Sequence, residues 1–344
     1  MRRLTSQMEK ARARHLATGE RGAIAVTTAL ALVVLLGFAA IAIDVGMMYE
    51  ERAQLQNGAD SAALAIAQNC IESPTTCSTS ASQLASDIAR SNTRDGRSDI
   101  ASLAFPTPNS VRVQTQAKDG KAEAGKLALS IAPLLGVDDP SISAAASASW
   151  GGPGTGPATL PIAISHCQAT KAFEQSGSTV VLDITGKSSL PGCTHEGHPV
   201  PGGFGWFRQG PKAECGQETS YDDIVFSDPG NDFAESCDEV LRNLRNQSIG
   251  DTLLLPVYDS TSDSGHNAKY YISGWIAFRV TGWNFGGSAK DDNNVNVREH
   301  ANQGLCTGSC RGIIGSFVRY ASLDELYTDD GPLTYGAAVV KLSE

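Results

Sequence analysis

The longest apolar run in the chain extends from Gly22 to Ile43 (GAIAVTTALALVVLLGFAAIAI), 22 residues without a charged side chain. At about 1.5 Å of rise per residue it reaches roughly 33 Å, enough to cross a hydrocarbon core of roughly 30 Å. A lone span must pair its backbone N–H and C=O groups within itself, so the pattern predicts a transmembrane helix. Beyond Ile43 the apolar positions become periodic, at Val45, Met48, Leu55, Ala59, Ala62 and Ile66, with a break at Arg52. Glu50, Glu51, Gln54 and Asp60 take other faces. The reading is a membrane helix that continues outward as an amphipathic one. The face bearing Leu55, Ala59, Ala62 and Ile66 is built mainly of small side chains, which let a second helix approach closely. That second helix belongs either to the chain's own following domain or to another protein.

Further along, Ser80 can cap a helix with Ala81, Leu84, Ala85 and Ile88 on one face, ending before Asp95 and Gly96. Val111 to Thr115 alternates like a half-buried strand, Ala122 to Leu135 reads as a helix disturbed by Pro133, and Ser141 to Trp150 reads as a second strand. Strand, helix and strand together predict a small βαβ unit. Gly151 to Pro157 (GGPGTGP) reads as a linker. The distal part, residues 159–344, holds most of the aromatic residues and reads as a mostly β domain, a sandwich or a strongly twisted sheet. Its best strand is Tyr271–Thr281. Leu160–Ser165, Thr179–Ile184, Thr252–Tyr258, Ile313–Tyr320 and Tyr335–Leu342 are further strands, and Asp232–Arg245 is a helix. The expected fold class is α+β. Its parts are a basic tail (1–21), one span (22–43), a helix plus βαβ region (44–150), the linker (151–158) and the disulfide-containing β domain.

Charge sets an orientation. Residues 1–21 carry six Lys and Arg against Glu9 and Glu20, a net of +4, so the remainder carries −14 of the total of −10. Basic residues beside a span stay in the cytoplasm, which predicts a single-pass cell-membrane protein with its N-terminus inside and its bulk outside. Ala40, Ile41 and Ala42 have the form that a signal peptidase accepts. Signal-peptide cores run about 7–15 residues, though, and the helical pattern continues past this point, which favours an uncleaved anchor. Outside the cytoplasm the eight cysteines, Cys70, Cys77, Cys167, Cys193, Cys215, Cys237, Cys306 and Cys310, fit a disulfide framework. Pairing Cys70 with Cys77 would staple the bend after the long helix. The acidic exported part argues against nucleic acid as a partner.

Several residues carry a family resemblance. Glu20-Arg21-Gly22-Ala23-Ile24-Ala25-Val26, then Ile43-Asp44-Val45-Gly46, then Arg52 to Ala65 (RAQLQNGADSAALA) resemble the N-terminal domain of TadG-like proteins of the Tad, or Flp, pilus assembly system. The resemblance implies a membrane-anchored, pilin-like or accessory protein. It also implies other pilus or secretion proteins as partners through the N-terminal helix. Related pseudopilins are cut after a Gly that has a Glu five residues on; here that position is Thr27. Some TadG-like proteins carry a von Willebrand A metal site of the form Asp-x-Ser-x-Ser. The nearest stretch, Asp183 to Lys187 (DITGK), puts a cation where a hydroxyl ligand belongs, which rules that site out.

Other constellations have plain readings. Cys193, His195, Glu196 and His198 could hold zinc, but the imidazoles are three apart in a Gly/Pro-rich loop and no fourth ligand is evident. Asp259, Asp263, Asp291 and Asp292 lack the spacing of a calcium loop. Phe204 to Arg208 (FGWFR) is a candidate contact surface, with core packing the plainer account. Cys306 and Cys310 have no second pair to make a zinc ribbon. No nucleophile elbow, phosphate loop or dinucleotide fingerprint occurs. The expectation is an anchored structural or accessory protein of pilus assembly or secretion, without enzymatic activity, cofactor or metal. An anchored glycan- or protein-binding module and an anchored metallohydrolase are the alternatives.

Overall fold

The computed structural model describes residues 2–118, 124–175, 177–183, 194–196, 198–199, 204–207, 215–228, 237, 240, 252–262, 268–285, 310–322 and 326–343. Helix α1 (Arg2–Glu72) is continuous over 71 residues, so the basic tail is part of the same helix as the span. No proline occurs before Pro74, and the helix stops two residues short of it. Ser73–Thr76 turn the chain, and α2 (Cys77–Ser91) folds back along α1. Ser80 lies inside α2 rather than at its cap, its hydroxyl donating to Asn69 Oδ1 (3.0 Å) and to the Thr76 carbonyl. Near the far end Arg94 N–H donates to Gln54 Oε1 (2.9 Å), and the Arg94 guanidinium meets Glu50 at 2.6 Å. At Gly58 a Cβ would touch the Ala89 backbone at 3.3 Å, so the small residues bring the two helix backbones together.

The chain divides into two compact units: residues 1–61, 86–102 and 113–145 form one, and residues 62–85, 103–112 and 146–344 form the other. Strands β1 (Ser98–Thr107), β2 (Ser110–Ala117) and β3 (Ser143–Gly151) follow the helical hairpin. In the first unit Leu55 is fully buried with Ala117, Ile142 and Ala144. The Thr115 hydroxyl donates to the Leu55 carbonyl (2.9 Å).

The expected βαβ unit is not formed. Ala117 N–H bonds to Ile142 O, and Trp150 N–H to Asn109 O, so β2 and β3 are antiparallel and need no crossover helix. Among the described residues of the connection, the only helical stretch is the 3₁₀ turn Ala132–Leu135. Gly125 and Gly136, both at positive φ, and Pro133 prevent the longer helix that the alanines and leucines suggested.

The second unit continues with β4 (Thr155–Ala158), β5 (Ile162–Ser165), α3 (His166–Glu174) and β6 (Val180–Asp183). The short strands β7 (Thr194–His195), β8 (His198–Pro199), β9 (Phe204–Phe207), β10 (Gln217–Ser220) and β11 (Ile224–Asp228) follow. The last are β12 (Thr252–Ser262), β13 (Lys269–Asn284), β14 (Gly312–Phe317), β15 (Tyr320–Ser322) and β16 (Ala337–Ser343). One sheet has the order β1-β2-β3-β16-β15, and a larger one has the order β11-β9-β5-β12-β13-β14-β6. Because β11 also pairs with β13, strands β5, β12, β13, β11 and β9 close on themselves. The larger sheet is buried on both faces. Ile164, Leu255, Val257, Ile276, Phe278 and Phe317 lie in one core, while Ala163, Leu254, Tyr258, Trp275, Ala277 and Val339 lie in another. That double burial explains runs such as LLLPV, which a half-exposed strand would not tolerate. Register shifts opposite Gly274 and between Val280 and Gly282 turn β13 over, so Ile272 joins the Trp275 side and Trp283 the Phe278 side. The expected strict alternation along Tyr271–Thr281 holds only between these bulges.

Residues 151–158 are not a free linker. Gly152 and Gly331 exchange both backbone hydrogen bonds at 2.9 Å, and β4 pairs with β10. A Cβ at Gly151 or Gly152 would overlap the backbone of Asp329 or Pro332, and one at Gly154 the Asp330 side chain, so these glycines serve a close approach of the chain. The expected helix Asp232–Arg245 lies almost wholly outside the described residues, as do Cys193, Cys306, Asp263, Asp291 and Asp292.

Candidate functional site

Along Gly22–Glu72 the most apolar window has a mean hydropathy of 2.6 and none of it is buried, so the helix is long and apolar enough to cross a membrane. Leu30, Leu35 and Phe38 are all more than 60 % exposed. From Gly22 onward the first buried position is Asp44, 5 % exposed, directly after the last apolar residue of the run. Its carboxylate accepts backbone N–H bonds from Ser130 (3.1 Å), Ile131 (3.2 Å) and Ala132 (2.7 Å). Three such bonds supply what a buried carboxylate needs in place of water. One turn further out, Val45, Met48, Tyr49 and Arg52 line a groove of about 530 Å³ with Ser141, Ile142 and Ser143. Arg52, the break in the apolar stripe, thus lines this groove.

Leu55, Ala59, Ala62 and Ile66 are each fully buried within the chain. The anticipated close approach of a second helix occurs, but that helix is the chain's own α2, seated on Gly58. Of the two occupants that the sequence left open for this face, the structure shows the chain's own residues, with Leu55 packed against Ala117, Ile142 and Ala144. The apolar surface left open on α1 is that of the span, ending in Val45 and Tyr49.

In the second unit the described cysteines are oxidised. Cys70 pairs with Cys77 and Cys215 with Cys237, each at a Cα separation of 4.7 Å, and Cys167 and Cys310 are disulfide-bonded as well. A polar cluster sits where parallel strands β5 and β12 end. His166 opens α3 beside its cap Ser165, and its Nδ1 lies 2.7 Å from the Tyr335 hydroxyl. That hydroxyl is 3.1 Å from Ser273 Oγ. The His195 ring packs against His166 at 4.3 Å, tilted by 55°, with its Nε2 3.7 Å from Asp259 Oδ2. Burial lowers the basicity of His166, His195 lowers it further, and Asp259 partly restores it. Burial raises the Tyr335 hydroxyl and, more strongly, that of Tyr258.

This cluster divides the residues of the zinc reading. His195 turns to His166 and Asp259, while Glu196 is exposed at φ 48°. Among the described residues no three His, Cys, Asp or Glu side chains converge as metal ligands. Of the aromatic segment Phe204–Arg208, residues 204–207 form β9, and Phe207 is buried in the core. A second groove, of about 460 Å³, is lined by Ile71, Phe105, Asn109, Trp150, Arg319 and Leu333 among others.

Sequence reasoning missed Asp44 as a structural tie and did not single out His166 or Tyr335. A charge set immediately after a long apolar run was the available signal for Asp44. A lone histidine after an apolar strand carries none.

Residues 22–69 match the model of the Flp pilus-assembly TadE/G-like family. The matched stretch is the open apolar helix together with its buried continuation through Ile66, and it ties this part of the chain to pilus assembly. No curated protein and no solved structure matches the chain.

Proposed function

We propose that the chain is a membrane-anchored structural component of Flp-type pilus assembly or secretion, acting by anchoring and assembly without a chemical step. The span of α1 lies in the cytoplasmic membrane with the basic N-terminus inside, and the remaining residues stand outside. The observation that carries this reading is the family match over residues 22–69, falling on a helical stretch whose residues 22–43 are apolar and uncovered. Such a surface is stable only against lipid or other apolar helices. Contacts with other apparatus proteins run through the span and its outer end at Val45 and Tyr49, because Leu55, Ala59, Ala62 and Ile66 beyond them are buried within the chain.

Protease treatment of intact spheroplasts tests the topology. The bulk of the chain is expected to be digested, while an N-terminal fragment that includes the span is protected. Protection of the whole chain, or its release into the medium, would overturn the reading. A photo-reactive residue at Leu36 is expected to crosslink to pilus-apparatus proteins in the same cells, whereas one at Thr79 is not.

A further inference from the structure

We infer that the loop Ile131–Val137 (IAPLLGV) is a second membrane contact, lying shallowly in the outer leaflet beside the foot of the span. The inference rests on the anchor reading above and extends it to a part of the chain that the family match does not reach. The loop has no charged or polar side chain over seven residues. Its tip is open: Leu134 is 83 % exposed and Val137 54 %. Apolar groups this exposed are ordinary when scattered singly, but these sit together on one tight turn.

The loop's height is set by Asp44. The carboxylate holds the backbone of Ser130, Ile131 and Ala132 within 3.4 Å, and Asp44 directly follows the last apolar residue of the span. The turn therefore begins at the level where the hydrocarbon ends. Its shape is fixed independently. Gly136 at φ 78° closes it through hydrogen bonds from Gly136 N–H to Pro133 O and from Val137 N–H to Ala132 O, both 3.1 Å. The neck is tied by Leu127 N–H to Pro140 O (3.0 Å) and Leu129 N–H to Asp139 Oδ1 (3.1 Å). Exposed Asp138 marks the depth at which insertion stops, since an unpaired carboxylate stays at the headgroups. Tyr49, 74 % exposed, lies about 8 Å further along α1, within the interfacial layer that aromatic anchors occupy. Lipid is the occupant because the loop continues the same uncovered apolar surface as the span.

The test uses the full chain reconstituted in phosphatidylcholine vesicles, with an environment-sensitive fluorophore on Leu134→Cys, Phe38→Cys or Thr79→Cys. Lipid-borne nitroxides are expected to quench the labels at 38 and 134 and leave that at 79 unaffected. The label at 134 should also blue-shift on reconstitution. A quenched span label with a loop label that behaves like position 79 would overturn the inference and leave the anchor standing. An unquenched label at 38 would overturn both. Val137→Cys supplies a second position on the loop should Leu134→Cys not fold.

Discussion

Ala62 illustrates how much one small side chain carries. It is fully buried on the inner face of α1, so a carboxylate there has neither room nor a partner. Ala62→Asp is expected to lower stability by about 3 kcal/mol or more, measured by denaturant unfolding of the purified protein. Any loss of partner capture in this variant would follow from unfolding, not from a broken contact. His166 provides a signed pH dependence. Its folded-state basicity is lowered, so the unfolded chain takes up the proton first as pH falls below the ordinary histidine value of about 6.5. Stability is thus present above that value and declines as pH falls towards the lowered one. His166→Asn should give a shallower fall in Tm across that window, whatever its absolute Tm, and an unchanged slope would contradict this origin. The sequence marked Asp44 by its place after the apolar run but showed the partners of neither Asp44 nor His166. Both roles depend on backbone or ring partners more than 80 positions away, Ala132 for the first and Tyr335 for the second.

At the scale of elements, local patterns were legible and long-range ones were not. The long helix followed from an apolar run and a periodic stripe with no proline, and the strands from Thr252 and Tyr271 followed from β-branched and aromatic density. The crossover helix failed because propensity was read across Gly125, Pro133 and Gly136, each of which favours a turn. The glycines of 151–154 misled in the opposite sense. Their composition suggests freedom, yet Gly151 and Gly152 each admit a neighbouring backbone, and Gly154 the side chains of Asp330 and Thr328, that a Cβ would exclude. The Cys215–Cys237 bridge, at a separation of 22 residues, closes a loop of moderate length. Replacing both cysteines with serine should lower stability by about 3 kcal/mol on the chain-entropy account. Thermal unfolding with and without reductant measures it.

For the whole molecule, the mostly β region does not begin where composition changes. Its unit draws in residues 62–85, 103–112 and 146–157, and β16 pairs with β3 from Val339↔Gly151 to Ser343↔Ser147. A fragment starting at residue 158 loses those strands and is expected to unfold without a cooperative transition, whereas residues 44–344 retain one. Cooperative unfolding of the shorter fragment, followed by circular dichroism, would refute this organisation. The family match is confined to residues 22–69, and beyond them residue pairs distant in sequence decide the architecture.

The unbroken course of α1 has a mechanical consequence. From Asp44 to Ser61, within one unit, α1 runs on for about 26 Å past the end of the apolar run. In the bilayer placement proposed above, a change of about 20° in the tilt of the apolar run, within the range that membrane helices adopt, carries Ser61 sideways by roughly 9 Å. Bilayer thickness is thereby converted into lever motion of the buried helix segment.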